Sequence, residues 1–197
     1  MNLLRIEGYH GTDATHIKNI QQNNFKPSIG DKEWLGNGTY FFIDGITNDR
    51  KPEIAAAHWA IASAWDNDKG GNKYIHCCVL EASINVQDEH LLDLTTADGM
   101  EIFNYYRQEF NNKLAKSGQD FKRGAYMQFR DGELINDMRA VKNVRIDAVK
   151  NSSYIKFELE RKQRIDFRTH NCTLLVVYDA SKNIEKTAIK IIRKFRI

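Results

Sequence analysis

The chain is poor in the residues that punctuate or crosslink small proteins, with two prolines and three cysteines in 197 residues. Two of the three cysteines, Cys77 and Cys78, are adjacent and the third is Cys172. An odd count with this spacing argues against a disulfide framework and for a reducing, cytoplasmic setting. No Cys-x-x-Cys or His-Glu-x-x-His occurs, so no metal site is expected. A Gly-x-x-x-x-Gly-Lys phosphate loop is also missing, and no Ser-His-Asp or Cys-His motif is visible. No apolar window approaches the length of a membrane span. Met1–Glu7 lacks the charged start and apolar run of a signal peptide, so neither membrane nor secretion is expected. Glycine is ordinary at twelve, and there is no Pro/Gly/Ser-rich stretch and no internal repeat.

What is present suits one domain over 1–197. Apolar residues make up 42%, with ten Phe, eight Tyr and three Trp, enough for a core. Net charge is +3 but uneven: 156–197 holds eleven Lys/Arg against five Asp/Glu, or +6, leaving −3 on 1–155. A basic C-terminal segment from about 156 suggests a polyanionic partner such as RNA or DNA. A solvated basic edge that resists aggregation is the competing reading.

Patterning predicts a strand over Leu3–His10, a short helix capped by Thr12 or Asp13, a Gly-rich loop from Phe25 to Gly38, and a strand over Thr39–Ile43. Pro52 opens a helix with Ile54, His58, Ile61 and Trp65 on one face. Tyr74–Ala82 reads as a buried strand. Thr95 and Asp98 resemble a capping box ahead of a helix carrying Met100, Phe103, Phe110 and Leu114. Further strands are expected at Tyr126–Arg130, Val144–Val149, Tyr154–Leu159, Thr173–Tyr178 and Ala188–Ile197. In the last, Ile189, Ile191, Phe195 and Ile197 alternate with Lys190, Lys194 and Arg196, and a helix is the rival reading. Many strands and few helices without regular alternation indicate an α+β fold.

Three pieces of the first 60 residues carry chemistry: Gly8-Tyr9-His10-Gly11-Thr12, Trp34-Leu35-Gly36-Asn37-Gly38-Thr39-Tyr40-Phe41-Phe42, and Ala55-Ala56-Ala57-His58-Trp59-Ala60. Each alone is weak: a short tripeptide, a Gly-Asn-Gly turn, a Trp on an Ala-rich helix. In this order and spacing they resemble the ADP-ribosyltransferase superfamily, in particular its poly(ADP-ribose) polymerase and diphtheria-toxin-like branch. The resemblance covers about a third of the chain. It implies a split, twisted sheet, with NAD bound between the sheet halves and ADP-ribose passed to a macromolecular acceptor as nicotinamide leaves.

By that resemblance His10 would bond the adenosine ribose and the Gly11 backbone the nicotinamide carboxamide, where glycine permits close approach. Thr12 would serve a ribose oxygen or cap the following helix. Tyr40 would stack on nicotinamide, with Trp59 closing the sandwich and His58 beside it. Ser28 and Gly38, in the Gly-rich loop, are further NAD-binding candidates. The family's third residue is a Glu on a later strand, and here Gln128 falls in its place; an amide can bond the ribose hydroxyl but carries no charge. Glu133 reaching in from a turn is the alternative, and binding with little turnover the third. The resemblance extends to toxin- and effector-type transferases, which would add a neutralising antitoxin to the possible partners, with nucleic acid and protein acceptors both open. Two rivals stand beside it: RNA 2′-phosphotransferase, ranked low for want of a clear arginine set, and a binding module for NAD or, through Lys190, Lys194 and Arg196, for nucleic acid.

Overall fold

The computed structural model describes residues 2–30, 33–117 and 130–197. Nine strands are described: β1 (Leu3–Asp13), β2 (Thr39–Ile43), β3 (Trp65–Asp66), β4 (Gly71–Asn72), β5 (His76–Gln87), β6 (Leu91–Asp93), β7 (Ala148–Ser153), β8 (Cys172–Val177) and β9 (Lys190–Arg196). Six α-helices join them: α1 (Ile17–Asn23), α2 (Pro52–Ala64), α3 (Ala97–Lys116), α4 (Asp131–Ala140), α5 (Glu158–Gln163) and α6 (Ala180–Asn183). Seven strands form one sheet in the order β6-β7-β8-β2-β1-β5-β9, antiparallel throughout except for β6 with β7, and β3-β4 make a separate hairpin. The architecture is therefore α+β.

Burial follows position in the sheet. Every residue of β8, between β7 and β2, is buried, as expected for a strand covered on both faces. In β5 the buried Ala82, Ile84 and Val86 alternate with half-exposed Glu81, Ser83 and Asn85. One apolar cluster gathers α2, α3 and α4 on one face, with Ala56, Val79, Phe103, Ile135 and Val176 among its members. The other packs α1 and the C-terminal turns on the opposite face through Ile17, Phe41, Leu80, Leu175 and Ile184.

The middle of the sheet is where the ladders thin out. β1 pairs β5 along its whole length, Leu3 with Gln87 through Asp13 with Cys77. β2 pairs β8 from Thr39–Val177 to Ile43–Thr173. β1 and β2 meet only at Tyr9 and Phe42. Two groups of strands thus diverge from a single joint, and the β1 edge beyond Tyr9 has no ladder partner on the β2 side.

Several expectations need correction. The buried face of α2 is not Ile54-His58-Ile61-Trp65: Ile54 and Trp65 are exposed, at 43% and 50%, while Ala55, Ala56, Ala57, Ala60, Ala62 and Ala64 are buried. The reason is close approach, since a Cβ on Gly11 would lie 1.8 Å from the Ala56 carbonyl oxygen; only alanines fit a helix seated that near a strand. The strand expected at Tyr154–Leu159 is instead a turn and helix α5. Ile155 and Phe157 are buried at strand-like spacing, but the Asn171 side chain, not a neighbouring strand, satisfies both backbone groups of Ile155, at 2.9 and 3.0 Å. The strand expected over Val144–Val149 begins at Ala148, where pairing to β6 and β8 becomes possible. The cap of α3 is Thr96, whose hydroxyl accepts from the Gly99 amide at 3.1 Å, and Thr95 bonds Asp93 instead. Residues 126–129 of the strand expected at Tyr126–Arg130 lie outside the described residues. Glu133 stands in the first turn of α4, not in a turn between strands.

The C-terminal segment is a strand, as its alternation implies, but with a bulge. Leu80 faces Ile191 and Val79 faces Arg193, so Ile192 is the extra residue. The bulge moves Phe195 to the face opposite Ile191, where it packs on the α2-side cluster.

Because Gly11 is a point of close approach between β1 and α2, Gly11→Ala is expected to destabilise the fold by about 1–3 kcal/mol through overpacking. Chemical denaturation reads this as a lower midpoint. An unchanged midpoint would mean that α2 is not held against β1 in solution.

Candidate functional site

The opening between β1 and β2 leads into a cavity of about 340 Å³ lined by His10, Gly11, Lys26, Ser28, Glu33, Trp34, Gly38, Thr39, Tyr40, Phe42, Trp59, Ile155 and Leu174. Six sequence-predicted site residues, His10, Gly11, Ser28, Gly38, Tyr40 and Trp59, meet here from four separate stretches of chain. A larger cavity of about 760 Å³, beside β6 and the start of α3, contains none of them.

His10 closes the gap that the ladder leaves. Its Nδ1 lies 2.9 Å from the backbone carbonyl of Tyr40. A carbonyl only accepts, so Nδ1 carries the proton and donates. The rings of Phe25 and Phe41 stand 5.2 and 5.8 Å from the imidazole. Burial against them lowers the His10 pKa below the ordinary histidine value, outweighing the Tyr40 carbonyl, which favours the proton. A neutral imidazole protonated on Nδ1 leaves Nε2 as a hydrogen-bond acceptor.

Tyr40 contributes its ring rather than its hydroxyl. The hydroxyl accepts from the Leu35 amide at 2.9 Å and donates to the Gly36 carbonyl at 2.8 Å. Burial pushes its pKa well above the usual tyrosine value. Both bonding capacities of that oxygen are spent on the loop 33–38, and the same loop is tied down from outside. Tyr178 donates to the Leu35 carbonyl at 2.6 Å, and the Asn37 amide donates to the Asn136 side chain at 2.9 Å. Gly36 takes a φ of +81°, open mainly to glycine. A Cβ on Gly132 would lie 1.7 Å from the Glu33 carbonyl oxygen, so the start of α4 abuts the loop directly.

Ser28 bridges to Gly38, its amide donating to the Gly38 carbonyl at 2.8 Å, and its hydroxyl donates to the Glu33 carboxylate. Trp59 reaches the cavity from α2, with the Arg161 guanidinium 5.5 Å from its ring centroid. Thr12 does not line the cavity; its hydroxyl lies 3.2 Å from His16 Nδ1, and the helical cap is Asp13, which accepts from Thr15. His58 packs edge-on against Phe157, 5.8 Å away, rather than beside Trp59 in the cavity. Glu133 points to Arg130, with 3.0 Å between Oε2 and Nε, and is absent from the cavity lining. Gln128 lies outside the described residues. No cluster of three or more metal-ligating side chains occurs among the described residues, and no described helix is long and apolar enough to cross a membrane.

Sequence reasoning missed Lys26, Glu33 and Trp34. Glu33 is the one carboxylate among the lining residues. The available signal was its place, an acid and an aromatic one residue ahead of Gly36-Asn37-Gly38.

No protein-family model matches the chain. It is similar to an uncharacterized protein of Methanocaldococcus jannaschii, 27% identical over 188 residues that span 89% of this chain and 80% of that protein.

Proposed function

We propose that the cavity receives the nicotinamide–ribose end of NAD and that the protein transfers ADP-ribose to a macromolecular acceptor on an ADP-ribosyltransferase-like fold. The observation that carries this reading is the His10–Tyr40 junction. A neutral imidazole with a free Nε2 and a tyrosine ring with its hydroxyl already engaged, 30 residues apart, face one cavity with an indole on its far wall. Nε2 accepts a ribose hydroxyl. The Tyr40 and Trp59 rings hold the flat, cationic nicotinamide. The unpaired β1 edge after Tyr9 leaves main-chain groups near Gly11 for the carboxamide.

In the reaction the bond between ribose C1′ and the nicotinamide nitrogen breaks, and its electron pair leaves with nicotinamide, which becomes neutral. A nucleophilic nitrogen or oxygen of the acceptor bonds C1′ and gives up its proton to solvent. The transition state places positive charge on the ribose, so a fixed negative charge close by lowers the barrier. Among the lining residues Glu33 has that charge, held by Ser28. Gln128 remains the residue suggested by family resemblance; Glu133, engaged by Arg130, is the weaker choice.

Incubation with NAD labelled in the adenosine half, followed for nicotinamide release and label transfer, tests the reading, with Tyr40→Ala as the inactive control. Binding of NAD without release would reduce the protein to a recognition module, and no binding would end the proposal. Glu33→Gln is expected to slow nicotinamide release about 10²–10³-fold, the size of effect seen when one transition-state electrostatic partner is removed, while NAD affinity changes little. A full rate in Glu33→Gln together with a loss in Gln128→Ala would move the role to Gln128.

The pH dependence follows from His10. Protonation removes the Nε2 acceptor, and burial delays protonation to below the ordinary value of about 6.5. NAD affinity is therefore expected to be flat from about pH 8 to about 6.5 and to fall only as pH drops further through the lowered His10 pKa. Fold stability should fall earlier, from about pH 6.5 down to the lowered His10 pKa and no further, because over that window the unfolded chain binds a proton that the folded one does not. Titration of the His10 ring by NMR supplies the midpoint, and a value above the ordinary one would contradict the assigned tautomer and role.

A further inference from the structure

We propose that the outer edge of β9 is a docking ridge for the phosphate backbone of single-stranded nucleic acid, which brings the acceptor nucleotide to the cavity. The docking itself is independent of NAD; the delivery rests on the transferase reading above. β9 ends the sheet, so among the described residues no strand lies beside its outer edge. Its seven residues include Lys190, Arg193, Lys194 and Arg196 and no acid. Lys190 is paired with Glu81 at 2.8 Å. Arg193, Lys194 and Arg196 have no ion-pair partner among the described residues, and all three are exposed.

The register shows where these charges stand. Gly11 pairs Val79, which pairs Arg193; Thr12 pairs Cys78, which pairs Lys194. The unpaired cations are thus level with the cavity end of β1 and two strand spacings away, about 10 Å. A phosphate held at Arg193 or Lys194 leaves a neighbouring nucleotide within reach of the opening beside Gly11.

The bulge at Ile192 puts Arg193 on the α2 face and Lys194 and Arg196 on the other, so positive charge flanks the edge on both sides. That suits a thin, flexible polyanion running along a ridge and opposes a protein strand extending the sheet, which would crowd cations on both of its faces. The Arg193 guanidinium also lies 5.0 Å from the centroid of the Phe195 ring, forming a flat cationic surface on which an unpaired base can stack. Edge protection alone needs only a charge or two.

The test uses the full chain and a fluorescently labelled single-stranded oligonucleotide, with anisotropy read without NAD between about 50 and 200 mM salt. The variant carries Arg193→Gln, Lys194→Gln and Arg196→Gln; a charge-matched control carries Lys69→Gln, Lys142→Gln and Lys162→Gln. Loss of three phosphate contacts should flatten the slope of log affinity against log salt by about 2. It should weaken binding at least tenfold, while the control binds as the parent does. Unfolding midpoints confirm that both variants fold, and nicotinamide release into water should be unchanged in the β9 variant while transfer to the oligonucleotide is lost. Equal binding by parent and β9 variant, equal loss in the control, or equally tight binding of an acidic polypeptide would each overturn the proposal. Salt-sensitive, β9-dependent binding from a protein that does not bind NAD would keep the ridge and defeat the transferase reading.

Discussion

A single residue pair, Tyr9 with Phe42, joins the two halves of the sheet, and the candidate site is a consequence of how little else connects them there. Where antiparallel strands part, each must find other partners for its backbone groups or leave them to solvent or a ligand. The Tyr40 carbonyl finds the His10 imidazole. One hydrogen bond thereby does three things: it replaces part of the missing ladder, sets the tautomer of His10, and fixes the imidazole against the strand that supplies the tyrosine ring. Fold and site share this element. A longer β1–β2 ladder would seal the opening, and without the imidazole contact the β1–β2 seam would keep only the Tyr9–Phe42 pairing, with the flanking helices and apolar clusters holding the two halves together.

The cavity is built for low polarity with few charges. His10 is kept neutral by burial, and Tyr40 has its hydroxyl turned inward onto loop 33–38. Glu33 and Lys26 are the charged residues left in the wall. The loop bearing Glu33 is held through Leu35, Gly36 and Asn37 by Tyr40, Tyr178 and Asn136. Support of this kind fixes the backbone of the loop, and Ser28 adds a bond to the Glu33 carboxylate itself.

Much of this arrangement was legible in the sequence, and the gaps have physical causes. Strands β1, β2, β5, β8 and β9 announce themselves by alternation or by unbroken apolar runs, and His10, Gly11, Ser28, Gly38, Tyr40 and Trp59 do converge. The face of α2 that carries Ile54, His58, Ile61 and Trp65 is not the one that packs on the sheet, because the close seat of Ala56 over Gly11 admits only small residues. Ile155 and Phe157 mimic a strand because burial at every second position looks the same whether a neighbouring strand or the Asn171 amide satisfies the backbone. The bulge at Ile192 depends on pairing with β5 and leaves no local mark. Nothing local to Glu33 marks it, because Asn136 of α4 and Tyr178 just after β8, 99 and 143 residues from their partners, are what fold the 33–38 loop against β2.

The two parts of the molecule with most to do differ in how they are held. Loop 33–38 is bound by buried or half-buried side chains on three sides, as befits groups that must be in position before a reaction begins. The β9 edge is exposed, and three of its four cations have no ion-pair partner among the described residues. Solvated cations bind a polyanion through release of counterions and let it go again as readily, with the affinity set by salt. The proposed transfer of ADP-ribose to a polymer would use that division. Under the proposed function NAD would occupy the braced cavity while a polymeric acceptor shifts along the edge. The register sets Arg193 level with Gly11, so in the proposed arrangement the sheet itself would fix the distance from the edge to the cavity.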